Sequence, residues 1–173
     1  MSALFDLPDA VATQNALVSP DGLYRYWLTR TWQPEVWRLG FIMLNPSTAD
    51  AEVDDPTIGR CKDFARRLGY GGITVVNLYA YRATNPRDML AAADPVGPEN
   101  DAYLTELLRS RAEANVDTIA AWGANAKPDR VAAIMAMPGA DRLMCLGLTK
   151  HGAPRHPLYL RADAPLVPFG GRP

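Results

Sequence analysis

The sequence has little that would support metal, disulfide or membrane chemistry. Only two of its 173 residues are cysteines, Cys61 and Cys145. Neither lies in a Cys-x-x-Cys motif, which argues against a thiolate cluster or a structural zinc site. We expect buried, reduced thiols and no cofactor. No apolar run approaches the roughly 20 residues that cross a bilayer, and the N-terminus lacks the regions of a signal peptide. We therefore expect a cytoplasmic protein with no membrane partner.

The chain also lacks an excess of positive charge. Its 18 basic and 19 acidic residues give a formal net charge of −1, so binding of DNA or RNA would have to use a local basic patch. No glycine-rich dinucleotide motif follows a strand, and a phosphate-binding loop and a Gly-x-Ser-x-Gly elbow are absent. A content of 48% apolar and 21% charged residues is typical of one soluble globular domain.

The N-terminal half opens with two segments that favour β-structure. Residues 23–30 are rich in aromatic side chains, and residues 36–44 end in an apolar run; a Gln-Pro turn separates them. We predict that they form an antiparallel hairpin leading into the core. Residues 1–22 show no period and are predicted to be an N-terminal arm, which leaves residues 23–173 as a single α/β domain.

The remainder alternates helical and strand patterns. Asp55-Pro56 suits a helix start, since aspartate caps well and proline is favoured at the first helical position. A β-branched run at 73–79 follows, so the order predicts a right-handed strand–helix–strand unit with parallel strands. Later strands are predicted at 118–123 and 142–146, with helices from 85, 98 and 130. The fold class expected is α/β: a three-layer α/β/α sandwich with a mostly parallel central sheet, plus the N-terminal hairpin.

Polar side chains occur where the predicted strands end. In open parallel sheets a ligand sits at the carboxyl ends of the strands, so four such ends predict one site. Both histidines of the chain lie in the last of these loops. The residues are Asn45 after the first strand; Asn77, Tyr79 and Arg82 in and after the second; Trp122 and Gly123 after the third; and Lys150, His151, Arg155 and His156 after the fourth.

Several of these residues have a structural explanation beside a functional one. Asn45 precedes a proline and taken alone is a turn former. Asp55 is the helix cap, so its neighbour Asp54 is the freer carboxylate and the better functional candidate. Asn77 lies inside an apolar strand, where its amide must bond either neighbouring backbone or a ligand. His156 is followed by a proline, which can hold its ring in a fixed place.

The motifs resemble those of a family of small bacterial and phage proteins of unknown function, the DUF1643 type. The resemblance extends from about residue 24 to residue 160. It is carried by Leu44-Asn45-Pro46-Ser47-Thr48-Ala49-Asp50, Asp54-Asp55-Pro56-Thr57, the run from Val76 to Thr84, Trp122-Gly123 and His156-Pro157-Leu158.

The layout is also similar, more distantly, to the uracil-DNA glycosylase superfamily. This resemblance implies a glycosylase-like fold in which Asn45, with Asp54, holds the attacking water and His156 donates to the base oxygen. Asn77 would pair with the base edge, and Tyr79 or Trp122 would stack on its face. Basic side chains would contact phosphate. The substrate-binding set it implies is Pro46, Ser47, Thr48, Asn77, Tyr79, Arg82, Trp122, Gly123, Lys150, His151 and Arg155.

Three functions stay open at this point. The first is an N-glycosidase that removes a base, modified or not, from DNA. The second is a hydrolase or transferase acting on a free nucleoside or nucleotide, which the acidic loop after Asn45 and the near-neutral charge favour. The third is a binding module for nucleotides or nucleic acid that keeps the pocket without the chemistry.

Overall fold

The chain alternates strands and helices along most of its length. The computed structural model describes residues 14–47 and 52–170. The strands are β1 (Gln14–Val18), β2 (Arg25–Thr31), β3 (Arg38–Met43), β4 (Gly72–Asn77), β5 (Thr118–Ala120), β6 (Met144–Cys145) and β7 (Val167–Pro168). The helices are α1 (Pro56–Arg67), α2 (Pro86–Ala91), α3 (Asn100–Ala114) and α4 (Pro128–Met135).

The strands form one seven-stranded sheet in the order β1-β2-β4-β3-β5-β6-β7. The four central strands are parallel neighbours, whereas the β1–β2, β2–β4 and β6–β7 pairs are antiparallel. The sheet is therefore mixed, and the prediction of a mostly parallel sheet is wrong at its two sides. The α/β class is confirmed.

The predicted hairpin between residues 23–30 and 36–44 does not form. β4 lies between β2 and β3, pairing antiparallel with the first and parallel with the second. Because β4 is buried along its whole length, its backbone needs ladder partners on both edges. The antiparallel hairpin at the N-terminal side is instead β1–β2. The sequence pattern of each strand was compatible with either partner.

Part of the predicted N-terminal arm belongs to the sheet. Residues 14–18 form β1, which pairs with β2 from Gln14↔Arg30 to Val18↔Arg25. Residues 1–13 lie outside the described part of the chain. The boundary between an arm and a single domain stays a prediction.

Helix starts follow the local chemistry that the sequence indicates. The Asp55 carboxylate accepts a hydrogen bond of 2.8 Å from the Ile58 amide at the start of α1, with Pro56 in the first turn. The Asn85 side chain caps α2 in the same way through the Arg87 amide. The predicted helix starts at both Asx-Pro sequences are confirmed. The aspartate or asparagine side chain is favoured there because it satisfies a backbone amide that has no partner inside the helix.

Apolar clusters cover both faces of the sheet. Along β3, Phe41 and Met43 pack with α1, whereas Ile42 packs with α3 and α4. This alternation follows from the two-residue period of a strand. In the described residues no helix has the length and apolar character needed to cross a membrane. The packing leaves the ends of β3, β4 and β5 side by side at one edge of the sheet.

Candidate functional site

A pocket of about 600 Å³ lies at the carboxyl ends of the central strands. Its wall combines the turn after β3, the start of α1, the end of β4, the turn after β5 and the loop after β6. It thus draws on all four strand ends that the sequence singled out. Seven predicted site residues line it: Asn45, Ser47, Asn77, Trp122, Gly123, Arg155 and His156.

Asn77, the last residue of β4, provides a buried amide in the pocket wall. Its side chain is 1% exposed, and neither its oxygen nor its nitrogen has a hydrogen-bond partner among the described residues. Leaving a buried polar group unsatisfied costs about 1–3 kcal/mol. The amide therefore has an unused donor and an unused acceptor within the pocket wall.

Asn45 uses only one half of its amide for the fold. Its nitrogen donates to the carbonyl oxygens of Ala83 at 2.8 Å and of Pro46 at 3.1 Å. Its oxygen accepts no hydrogen bond from any residue in the described ranges. The backbone thus holds the amide by its donor end.

His156 is held in one tautomer by its own loop. Its Nδ1 accepts a hydrogen bond of 3.2 Å from the Leu158 amide, so in the neutral ring the proton sits on Nε2. Burial lowers the pKa of His156 below its ordinary value, and the negative charge of Asp55 partly offsets this effect. The ring is consequently neutral at pH 7 and offers a single N–H donor.

The surroundings of the two adjacent aspartates differ from those that the sequence predicts. Asp54 forms ion pairs with Arg30 at 2.7 Å and Lys62 at 2.8 Å and does not line the pocket. Burial alone would raise the pKa of Asp54, but the hydrogen bonds and charges of Lys62 and Arg30 outweigh it and lower the pKa. The expectation that Asp54 is the freer carboxylate is wrong.

Asp55, for which the sequence favours the role of helix cap over that of catalytic base, caps α1 and also lines the pocket. One carboxylate oxygen caps α1, and the other accepts a short hydrogen bond from the Ser47 hydroxyl. Each oxygen keeps a further lone pair. Among the described residues, the carboxylate in the pocket lining is therefore that of Asp55.

Trp122 and Gly123 form a rigid part of the wall. The indole is 2% exposed and packs edge-on against Phe169 with ring centroids 5.2 Å apart. Gly123 has φ +73°, a conformation that favours glycine, and its N–H donates to the Pro154 carbonyl at 2.9 Å. The strand end and the histidine loop are thereby joined.

The other predicted residues that the structure describes do not line the pocket. Tyr79 is in the core, where its hydroxyl accepts from the Lys127 amide at 3.1 Å. Arg82 donates to the Gly22 carbonyl at 3.2 Å. Lys150 and His151 are exposed and, like Pro46, stand outside the lining. Thr48 lies outside the described residues.

Sequence reasoning missed several residues of the lining. Leu158 and Tyr159, 40% and 75% exposed, stand at the rim beside the exposed Arg155. Both come directly after His156-Pro157 in the sequence, and this proximity to a predicted site residue is the signal that indicates their place in the lining. Arg25 and Asn125 also line the pocket. Arg25, at the start of β2, reaches this edge of the sheet because β2 runs antiparallel to β4.

Comparison with known proteins gives a family without an activity. The family model described as "Protein of unknown function (DUF1643)" matches residues 25–158. No curated protein and no solved structure matches the chain. The matched span contains every described residue of the pocket lining except Tyr159.

Proposed function

We propose that this chain, which belongs to the DUF1643 family, is an N-glycosidase. It would release a base from deoxyribose in DNA. The observation that carries the proposal is the Asn77 amide, buried in the pocket wall with donor and acceptor both unused. A pyrimidine imide edge, with an N–H beside a carbonyl, matches that pair. The helices on both faces of the sheet suit the α/β/α layout of the uracil-DNA glycosylase superfamily, which is part of this proposal.

His156 would stabilise the leaving base. When the glycosidic bond breaks, its electron pair stays with the base, and charge develops on the base oxygens. A neutral imidazole with its proton fixed on Nε2 by the Leu158 contact can donate to such an oxygen. A preorganised donor stabilises the transition state most where charge develops. The lowered pKa of His156 keeps it neutral at pH 7.

The turn after β3 and the start of α1 would supply the nucleophile. The transition state resembles an oxocarbenium ion, as in glycoside hydrolysis. The Asn45 oxygen would orient a water, and the Asp55 carboxylate would balance the positive sugar and accept the water proton as the new C–O bond forms. Ser47 holds this carboxylate in place.

The rim suits a nucleic acid better than a free nucleoside. Arg155 is an exposed cation, and Leu158 and Tyr159 are exposed apolar side chains next to the pocket mouth. A base inside duplex DNA must be flipped out to be reached, and apolar side chains at the mouth can occupy the space it leaves. We therefore favour a base in DNA as substrate.

The proposal is tested with oligonucleotides that carry uracil, mismatched thymine or a modified pyrimidine, followed by alkali cleavage at abasic sites. We expect cleavage with at least one of them. His156→Ala should slow it on the order of 10²-fold, whereas His151→Ala, at the exposed second histidine, should leave it unchanged. Asn77→Leu should abolish selection of the base.

One observation favours a second function. The Asn45 nitrogen is bound to backbone, as expected for a base-binding module without chemistry. Base-selective binding of the oligonucleotides without cleavage would support that function. Base release from free nucleosides alone would contradict DNA as the substrate.

A further inference from the structure

The end of β4 lies beyond the pairing of β4 with β2, although Asn77 still pairs with Met43 of β3. On the β2 side, the antiparallel register stops at Leu28↔Val75, two residues before Asn77. The carbonyl oxygens of Asn77 and Leu78 therefore need donors from elsewhere if they are to be satisfied. This is also the place where the backbone carries the unpartnered amide of the pocket.

Helices α3 and α4, which pack on the face of the sheet opposite to α1, supply these donors. The Asn100 side chain, 0% exposed, donates from its nitrogen to the Asn77 carbonyl at 3.0 Å and to the Leu78 carbonyl at 3.1 Å. The Arg130 Nε donates to the same Leu78 carbonyl at 2.8 Å. Arg130 is itself held by Asp101, 2.6 Å away. The starts of α3 and α4 are thus fastened to the peptide that follows Asn77.

We infer that Asn100 is a positioning residue for base recognition, with Arg130 as its support. The inference rests on the proposed function, since it assumes that Asn77 reads the base. Neither side chain lines the pocket, so neither touches the substrate. They hold the backbone that carries the Asn77 amide, and a misplacement of about 1 Å can weaken the function of such a group on the order of 10²-fold.

The experiment measures selectivity rather than total affinity. The probes are two oligonucleotides, one with a single deoxyuridine and one with N3-methyl-deoxyuridine, whose methyl group removes the N–H donor of the base edge. Binding is followed by fluorescence anisotropy, which does not require turnover. The readout is the ratio of the two dissociation constants.

The wild-type protein should prefer the unmethylated probe, and Asn77→Leu should bring the ratio close to one. Asn100→Leu removes both hydrogen bonds while keeping the branching of the side chain, and it should lower the ratio at least tenfold. The matched control is Leu108→Ala, a cavity in the same helix at a 2% exposed position, which should keep the ratio although it destabilises the fold. If Asn100→Leu does not fold, Arg130→Lys, which keeps the charge but loses the Nε donor, should lower the ratio by a smaller factor.

The outcomes separate the two proposals. A wild-type preference that Asn77→Leu removes but that Asn100→Leu and Arg130→Lys both retain would overturn the positioning role alone. A wild-type ratio near one would overturn base reading by Asn77, and the positioning role with it. An equal fall in Leu108→Ala would show that lost stability, not positioning, lowers the ratio.

Discussion

Asp54 and Asp55 are neighbours in sequence, yet the fold gives them different tasks. Asp54 forms ion pairs with Lys62 and with Arg30, whose side chain is 2% exposed. Asp55 caps α1 and lines the pocket. Aspartate at either position has the same intrinsic chemistry, so the difference comes only from what surrounds each carboxylate.

The pair gives a matched test at the scale of single residues. Asp55→Asn should reduce base release on the order of 10²-fold and change stability by less than about 0.5 kcal/mol, because asparagine caps as well as aspartate. Asp54→Asn should leave base release unchanged and destabilise by about 1–3 kcal/mol, because it breaks ion pairs to a buried arginine. Kinetics and urea unfolding check both.

The pH dependence of the Asp54 contribution has a definite sign. Because the pKa of Asp54 is lowered in the fold, its ion pairs add stability above the ordinary pKa of 3.8, and this stability is lost as the pH falls through the lowered value. The stability difference between wild type and Asp54→Asn should therefore shrink in acid. A stability difference that does not change with pH in acid would contradict the structural role of Asp54. A loss of base release in Asp54→Asn would also contradict it.

At the scale of elements, the connection between β2 and β3 decides the topology. Gly71, directly before β4, donates to the Trp37 carbonyl and accepts from the Trp32 and Gln33 amides. The connection therefore wraps around the start of β4. A Cβ at Gly71 would clash with the Gln33 carbonyl oxygen and lie 2.7 Å from the Val36 Cβ.

Two glycine substitutions test this arrangement. Gly71→Ala should destabilise by about 1–3 kcal/mol through overpacking. Gly59→Ala, inside α1 with nothing within 4 Å of the new methyl, should stabilise by about 0.5–1 kcal/mol through helix propensity. Thermal unfolding measures both. Equal effects at the two positions would argue against the wrapped connection.

At the scale of the whole molecule, the two thiols report on cooperativity. Cys61 in α1 and Cys145 in β6 are each 0% exposed, and burial raises the pKa of both. A thiol reacts as its thiolate, so both should stay unlabelled by a thiol reagent in the native protein. In urea both should become reactive at the midpoint of the far-ultraviolet circular dichroism transition. Early labelling of one thiol would show local opening.

The sequence alone determined the parts that depend on neighbouring residues. The caps at Asp55-Pro56 and Asn85-Pro86 are local, as is the two-residue alternation of the strands. They predicted the starts of α1 and α2, the α/β class and the loops that carry Asn45, Asn77, Trp122 and His156. The tertiary structure alone decided which strands pair, because a strand pattern specifies faces but not edge partners. It also decided which aspartate reaches the pocket and which donors hold the end of β4, because these contacts join residues far apart in the chain.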